Sequence, residues 1–196
     1  MEAPADILRR ILNAYLPTPP QAADRILAAG EVVSHLKGGI VFAEGRYNAF
    51  EYFQLEGVSH RFNTDSDRQE VTTGIFQGER VITPHFTRTR NGHSIFSLQA
   101  LTGCTYLQGP AGTFRSLMDE DQQLLLTGRA IVEKEFIRGL TYEVLFRAAT
   151  ARDRLAHFRE QYPGLENTIP HTVIASSLGI TPVSLSRLRA EISKGR

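Results

Sequence analysis

Apolar residues in the first thirty positions recur at the three-to-four-residue spacing of amphipathic helices. The pattern predicts one helix over Ala5–Leu16 and a shorter one over Gln21–Ala29. The apolar positions of the first helix are Ile7, Leu8, Ile11, Leu12 and Tyr15. Prolines at 17, 19 and 20 separate the two helices, because proline cannot continue a helix.

From Glu31 to about Leu117 the pattern changes to short apolar runs separated by turn residues. Many short apolar runs between turn residues predict an antiparallel β-roll, sandwich or barrel. The predicted strands are Val32–Leu36, Ile40–Ala43, Tyr52–Gly57, His60–Asn63, Glu70–Phe76, Val81–Ile82, Ser94–Ala100 and Thr105–Leu107.

After residue 118 the helical period returns and persists to about residue 148. Asp119, Glu120 and Asp121 favour a helix start, because negative charge stabilises that end. One apolar stripe then steps by seven, four, four and four residues. It consists of Leu125, Val132, Phe136, Leu140 and Val144. The helix is longer than a small roll needs, so we expect it to pair with a second copy of the chain. The alternative is a helix that packs wholly on its own domain.

The C-terminal segment predicts a helix over 150–162 and then a helix-turn-helix over 172–192. Ala175 lies four residues before Gly179, and Leu185 and Leu188 lie six and nine residues after it. This spacing suits two short helices that cross closely at a small residue and turn at a glycine with positive φ. Thr181 is expected to cap the second helix. An ordinary helical hairpin with this spacing is the alternative.

Polar side chains on this motif are candidate DNA contacts. Arg187 is expected to reach a guanine edge, and hydroxyl groups to contact bases or phosphates. The predicted DNA-binding residues are His171, Thr172, Thr181, Ser184, Arg187 and Arg189. Charge agrees with this placement: residues 1–149 carry 15 basic and 17 acidic side chains, whereas residues 150–196 carry 7 and 4.

Composition excludes several classes of protein. With 41% apolar and 22% charged residues, the chain is typical of globular proteins. The single cysteine, Cys104, excludes an internal disulfide, and no apolar run is long enough to span a membrane. The N-terminus has acidic residues where a signal peptide needs basic ones, so we expect a cytoplasmic protein. No catalytic triad or metal-ligand spacing is present, so we expect no enzyme and no metal.

Four segments of the chain resemble the CRP/FNR superfamily of bacterial transcription regulators. The segments are IVFAEGRYNAFEYFQLEGVSHRF (40–62), SLQALTGCTYL (97–107), ATARDRLAHFREQYPGL (149–165) and IASSLGITPVSLSRLR (174–189). The compact branch common in Bacteroidetes-type genomes is the most similar. The resemblance implies an α+β protein with three parts: a cupin-like, cyclic-nucleotide-binding-like sensor roll with N-terminal helices (1–117), a dimerisation helix (118–148) and a helix-turn-helix domain (149–196). Double-stranded DNA and a second copy are the implied partners, with RNA polymerase as a further candidate.

The chain departs from the resemblance where family members bind cyclic AMP. Ile82 and Thr83 stand where those members have Gly-Glu, and Ser94, Ile95 and Phe96 stand where they have an Arg-Ser/Thr-Ala run. We therefore expect no cyclic AMP binding of the usual kind and no cofactor, and leave room for an unknown small-molecule effector.

The segment from Thr83 to Ser94, which joins these two departures, holds candidate effector residues. They are Thr83, Arg88, Arg90 and Ser94. A solvated hairpin or loop is the favoured alternative to a pocket, because Asn91-Gly92 is a turn dipeptide.

At the C-terminus, the resemblance does not determine whether the chain binds DNA. Only residues 192–196 follow the recognition unit, so we expect no wing, and Lys194 and Arg196 to supply phosphate contacts instead. The predicted function is a DNA-binding transcription regulator with a degenerate effector pocket. The alternative, favoured by the missing wing and by Val183, is a ligand-sensing or protein-interaction module that has lost DNA binding.

Overall fold

Two N-terminal helices cover one side of a strand-rich domain in the computed structural model, which describes residues 2–194. Helix α1 spans Pro4–Asn13 and α2 spans Pro20–Ala28. Each begins at a proline, where the missing N–H costs nothing. Their apolar faces pack on the roll beside Phe53 and Leu55.

The strand-rich domain is an antiparallel roll of two four-stranded sheets and a small hairpin. One sheet has the order β1-β10-β3-β6 and the other β2-β9-β4-β5, while β7 pairs with β8. The strands are β1 (Glu31–His35), β2 (Ile40–Phe42), β3 (Phe50–Glu56), β4 (Val58–Thr64), β5 (Glu70–Gln77), β6 (Arg80–Val81), β7 (Thr89–Arg90), β8 (His93–Ser94), β9 (Ser97–Ala100) and β10 (Cys104–Pro110). The long predicted strand Ser94–Ala100 is therefore two short strands.

The space between the two sheets is filled by a core rich in aromatic residues. Its largest buried members include Phe42, Tyr52, Phe76 and Tyr106. Cys104 is buried there, and its Sγ donates to the Val58 carbonyl at 3.2 Å.

Residues 2–194 contain six further α-helices and a 3-10 helix at Leu165–Asn167. The α-helices are α3 (His85–Arg88), α4 (Ala111–Glu120), α5 (Gln122–Ala148), α6 (Ala151–Gln161), α7 (His171–Ser177) and α8 (Pro182–Lys194). The acidic run starts α5 as expected, because the Asp121 carboxylate accepts hydrogen bonds from the N–H groups of Gln123 and Leu124. Helix α4 lies outside the predicted helices, since Gly112 and its polar neighbours blur its apolar stripe.

The helix-turn-helix domain is docked on the roll rather than set apart from it. Leu155, Phe158 and Ile174 share a core with Val58 and Ile75 of the roll. Polar contacts reinforce this junction: the Ser176 hydroxyl accepts from the Thr72 N–H at 2.8 Å and donates to the Glu70 carbonyl at 3.2 Å. The junction therefore joins α7 directly to strand β5.

Candidate functional site

The turn between α7 and α8 has the geometry that the glycine and alanine positions predicted. Gly179 has a φ of 66°, and an added Cβ would lie 2.5 Å from the Phe146 ring of α5. Ala175 is completely buried, and its carbonyl accepts from the Ile180 N–H at 3.0 Å. A larger residue would overfill the core at Ala175, and a side chain at Gly179 would strain the positive φ and meet the Phe146 ring.

Helix α8 begins with the predicted cap. The Thr181 hydroxyl accepts from the Ser184 N–H at 3.1 Å, and Pro182 is the first helical residue. The hydroxyl groups of Thr181 and Ser184 lie 2.9 Å apart on the exposed side of this turn.

Five of the six predicted DNA-binding residues are exposed. They are His171, Thr172, Thr181, Ser184 and Arg187. Within the described residues, the Arg187 side chain forms neither a hydrogen bond nor an ion pair, so its guanidinium is free for an external anion or base edge. Thr181, Ser184 and Arg187 follow one another at three-residue steps and thus share one side of α8.

Arg189, the sixth predicted DNA-binding residue, belongs to an ion-pair cluster. Its Nε donates to Glu166 at 2.8 Å, and Arg159 donates to the same carboxylate at 2.5 Å. Burial opposes ionisation of Glu166, but the two arginines prevail and hold its pKa below the ordinary value. Arg189 therefore stabilises the domain and is half-buried. Lys194 is exposed at the end of α8, whereas Arg196 lies outside the described residues.

Arg88, a predicted effector residue, is fully buried in the roll. Its guanidinium lies 4.5 Å from the centre of the Phe42 ring and 5.2 Å from that of Tyr52. Its Nε donates to the Thr83 carbonyl at 2.9 Å, and a terminal nitrogen donates to the Phe50 carbonyl. The side chain ties α3 to the core.

The other effector candidates do not converge either. Arg90 is exposed on the β7–β8 hairpin, whose turn has positive φ at Asn91 (51°) and Gly92 (77°). The hairpin alternative is thus correct for this part of the segment. Ser94 is buried in the roll, and Thr83 lines a cavity.

A cavity of about 560 Å³ lies between strands β4 and β5, helix α5 and the helix-turn-helix domain. Its volume is in the range of small-molecule sites. The lining includes Arg61, Thr83, Phe136, Tyr142, His157 and Tyr162. Sequence analysis missed Arg61, whose only signal was a cation inside a predicted apolar strand.

The apolar stripe of α5 is largely uncovered in the single chain. Leu125, Phe136, Leu140 and Val144 are between 45% and 66% exposed, and Val132 is half-buried. Ile137 adds a further exposed apolar side chain at 55%. Exposed apolar surface of this kind is typical of interaction sites.

Glu51 is a half-buried residue whose carboxyl group lies beneath α3. Both of its oxygens accept from the His85 N–H, at 2.9 and 2.8 Å. Burial raises its pKa to about 7, against the opposing effects of the His85 N–H and of Arg88. The fold therefore favours the protonated form of this group.

Glu51→Gln is expected to change the pH dependence of stability. The folded-state pKa exceeds the unfolded value of 4.5, so wild-type stability from this group is full below pH 4.5 and falls as pH rises through 7. The free energy of unfolding that is lost amounts to about 3 kcal/mol. The glutamine variant does not lose it, because its side chain does not ionise. Urea unfolding from pH 5 to 8 measures the difference, which should grow with pH. The exposed Glu56→Gln is the control, and a pH-independent difference for Glu51→Gln would contradict the assignment.

Comparison with solved structures identifies the fold. The chain is similar to FixK2 from Bradyrhizobium japonicum, with a TM-score of 0.73, 15% identity and 85% of each chain covered. It is also similar to the c-di-GMP responsive global regulator CLP of Xanthomonas campestris, with a TM-score of 0.74, 14% identity, and 90% of this chain and 93% of that one covered. The Thermus thermophilus catabolite activator protein matches with a TM-score of 0.57 and 17% identity over 92% of this chain and 86% of that one. The chain thus has the CRP/FNR fold.

Other comparisons and searches add no further assignment. No family model matches the chain, and neither does any curated protein. Residues 2–194 include no helix long and apolar enough to cross a membrane. In the same residues, no three His, Cys, Asp or Glu side chains are grouped so as to hold a metal ion.

Proposed function

We propose that this chain is a cytoplasmic, DNA-binding transcription regulator of CRP/FNR type that acts as a homodimer. The observation that carries the proposal is the exposed side of α8, where Thr181, Ser184 and Arg187 stand on a helix-turn-helix of the expected geometry. The fold shared with FixK2, CLP and the catabolite activator protein supports it. Its place in the Bacteroidetes-type branch and contact with RNA polymerase remain parts of the proposal.

Charge supports DNA as the partner of this surface. Residues 150–196 carry three more basic than acidic side chains, but ion pairs with Glu166 engage Arg159 and Arg189. The free positive charge per copy is small, so one copy would bind DNA weakly. Two copies double the contacts, and a two-fold dimer favours palindromic half-sites about one helical turn apart.

Arg187→Ala is expected to weaken DNA binding by about 1 to 3 kcal/mol for each half-site, because it removes a base-reading guanidinium. The measurement is a gel shift on DNA flanking the protein's own gene, repeated at several salt concentrations. Binding of the wild type should weaken as salt rises.

The matched control for Arg187 is Arg115→Ala, an exposed arginine on α4. It should leave the gel shift unchanged. Wild-type protein that binds no DNA at low salt would contradict the proposal and favour the ligand-sensing or protein-interaction alternative. Equal losses of DNA affinity in the two variants would mean that the DNA contact does not lie at Arg187.

The same proposal includes a degenerate effector pocket that does not hold cyclic AMP in the usual way. The buried position of Arg88 and the separation of Thr83, Arg90 and Ser94 support it. Calorimetric titration with cyclic AMP is expected to show no micromolar binding.

A further inference from the structure

Arg61 of strand β4 is a largely buried cation beside the cavity. Its Nε donates to the Thr73 carbonyl at 3.0 Å, and one terminal nitrogen donates to the Thr83 hydroxyl at 3.3 Å. The guanidinium also lies 5.6 Å from the centre of the Phe96 ring. No carboxylate of residues 2–194 approaches within ion-pair distance of it. Buried charges are normally paired, so this cation has unused capacity for an anion.

The strand pair is shaped to hold this guanidinium. Gly74 of β5 lies opposite Arg61 in the register, and an added Cβ there would lie 2.7 Å from the Arg61 Nε. The absence of a side chain at Gly74 is therefore what gives Arg61 its position. Neutral partners hold the Nε and one terminal nitrogen, which leaves the other terminal nitrogen for a ligand.

Several other polar groups around the cavity already have partners. The Tyr142 hydroxyl donates to the Ser177 carbonyl at 2.6 Å, and the Tyr162 hydroxyl donates to the Ile75 carbonyl at 3.1 Å. Glu135 pairs with Arg138 at 3.2 Å. Most of the other lining is apolar, including Val132, Phe136, Leu140, Leu145 and Phe158. Arg61 thus offers one guanidinium edge without an ion pair, beside walls that are mostly apolar but also carry the Glu135–Arg138 ion pair.

We propose that the cavity binds a monocarboxylate with an apolar body, whose carboxylate pairs with Arg61. A carboxylate matches a guanidinium edge in charge and geometry, and the apolar walls suit a hydrocarbon chain or aryl ring. The proposal rests on the regulator function above, for which this ligand would be the effector.

The position of the cavity explains how its occupant would act on DNA binding. One wall is the β4–β5 pair, a second is α5, and a third includes Ser177 and Leu178 at the end of α7. Arg154, which also lines the cavity, donates to the Leu178 carbonyl at 2.9 Å. A ligand here contacts the sensor, the long helix and the helix-turn-helix at once. A ligand changes the relative arrangement of these three elements only if it binds one arrangement more tightly than another. A site lined by all three elements allows such a difference in affinity.

The test is calorimetric titration of the full chain with hexanoate, decanoate and phenylacetate, each against its uncharged alcohol. At least one carboxylate is expected to bind saturably, at least tenfold more tightly than its alcohol. Hexanoate and decanoate test a hydrocarbon chain as the apolar body, and phenylacetate tests an aryl ring. Arg61→Met should remove the preference for the acid, and Arg61→Lys should keep part of it. Arg46→Met, at an exposed arginine, is the control and should change nothing.

Gly74→Ala is the second variant, because it displaces the guanidinium without removing its charge. It is expected to weaken carboxylate binding at least fivefold and to leave alcohol binding unchanged. Thermal unfolding of each unliganded variant shows which are folded, and the folded ones decide the result. No saturable binding of any carboxylate by the wild type, equal binding of acid and alcohol, or unchanged binding in a folded Arg61 variant would overturn the proposal. No DNA is present in these titrations, so their failure leaves the gel-shift result standing.

Discussion

Replacing Arg88 with alanine is expected to lower the free energy of unfolding by about 3 to 5 kcal/mol. The side chain is fully buried, and its loss leaves a void beside the Phe42 and Tyr52 rings. It also leaves the carbonyl groups of Thr83 and Phe50 without their buried donor. Both effects act in the folded state, so they add to a large destabilisation, which urea unfolding measures directly.

Arg90→Ala is the matched control for Arg88, because it removes the same side chain two residues further along, where it is exposed. It should change the free energy of unfolding by less than about 0.5 kcal/mol. Equal effects of the two variants would contradict the buried position of Arg88. An Arg88 variant of unchanged stability that loses a ligand would restore its role as an effector residue.

Placing aspartate at both Ile137 and Val144 is expected to raise the dimer dissociation constant at least 100-fold. Each side chain is more than half exposed on α5, one helical heptad apart, and neither lines the cavity. A dimer along this stripe would bury the new carboxylates without partners, at a cost of about 3 kcal/mol or more. Each 1.4 kcal/mol is a factor of ten in the constant. Sedimentation velocity over a concentration series measures the shift, and DNA affinity should fall with it.

Conservative replacements at the same two positions provide the control. Ile137→Leu and Val144→Ile keep the surface apolar and should leave both mass and DNA affinity unchanged. A wild-type chain that sediments as a monomer at all concentrations would contradict the role of the stripe. So would a dimer that the two aspartates leave intact. In either case the exposed apolar side chains of α5 would need another partner.

The order of helices and strands was largely predictable because local sequence patterns determine it. The helix-turn-helix is the clearest case: Ala175, Gly179 and Thr181 act through a tight crossing, a positive φ and a cap within a few residues of one another. The start of α5 at Asp121 is similarly local. The predicted elements were wrong where the apolar pattern was short or irregular. Helix α4 was not predicted, and two strands were predicted as one over Ser94–Ala100.

The roles of the arginines were not predictable in the same way, because they depend on partners far along the chain. Arg88 is buried among rings from two strands, and Arg189 pairs with Glu166, 23 residues earlier. Arg61 gains its position from Gly74 on the neighbouring strand, and its cavity from helices that follow much later. A sequence shows the charge of such a side chain but not whether its surroundings are water, rings or a carboxylate.

The sequence by itself thus determined the α+β class, the succession of roll, long helix and helix-turn-helix, and the surface of α8 that carries Arg187. Periodicity, caps and turns are short-range effects, and they suffice for these features. The tertiary structure alone decided which cations are buried, which are paired and which line a cavity. Burial and pairing are properties of the packed chain, since they arise only where residues distant in sequence meet.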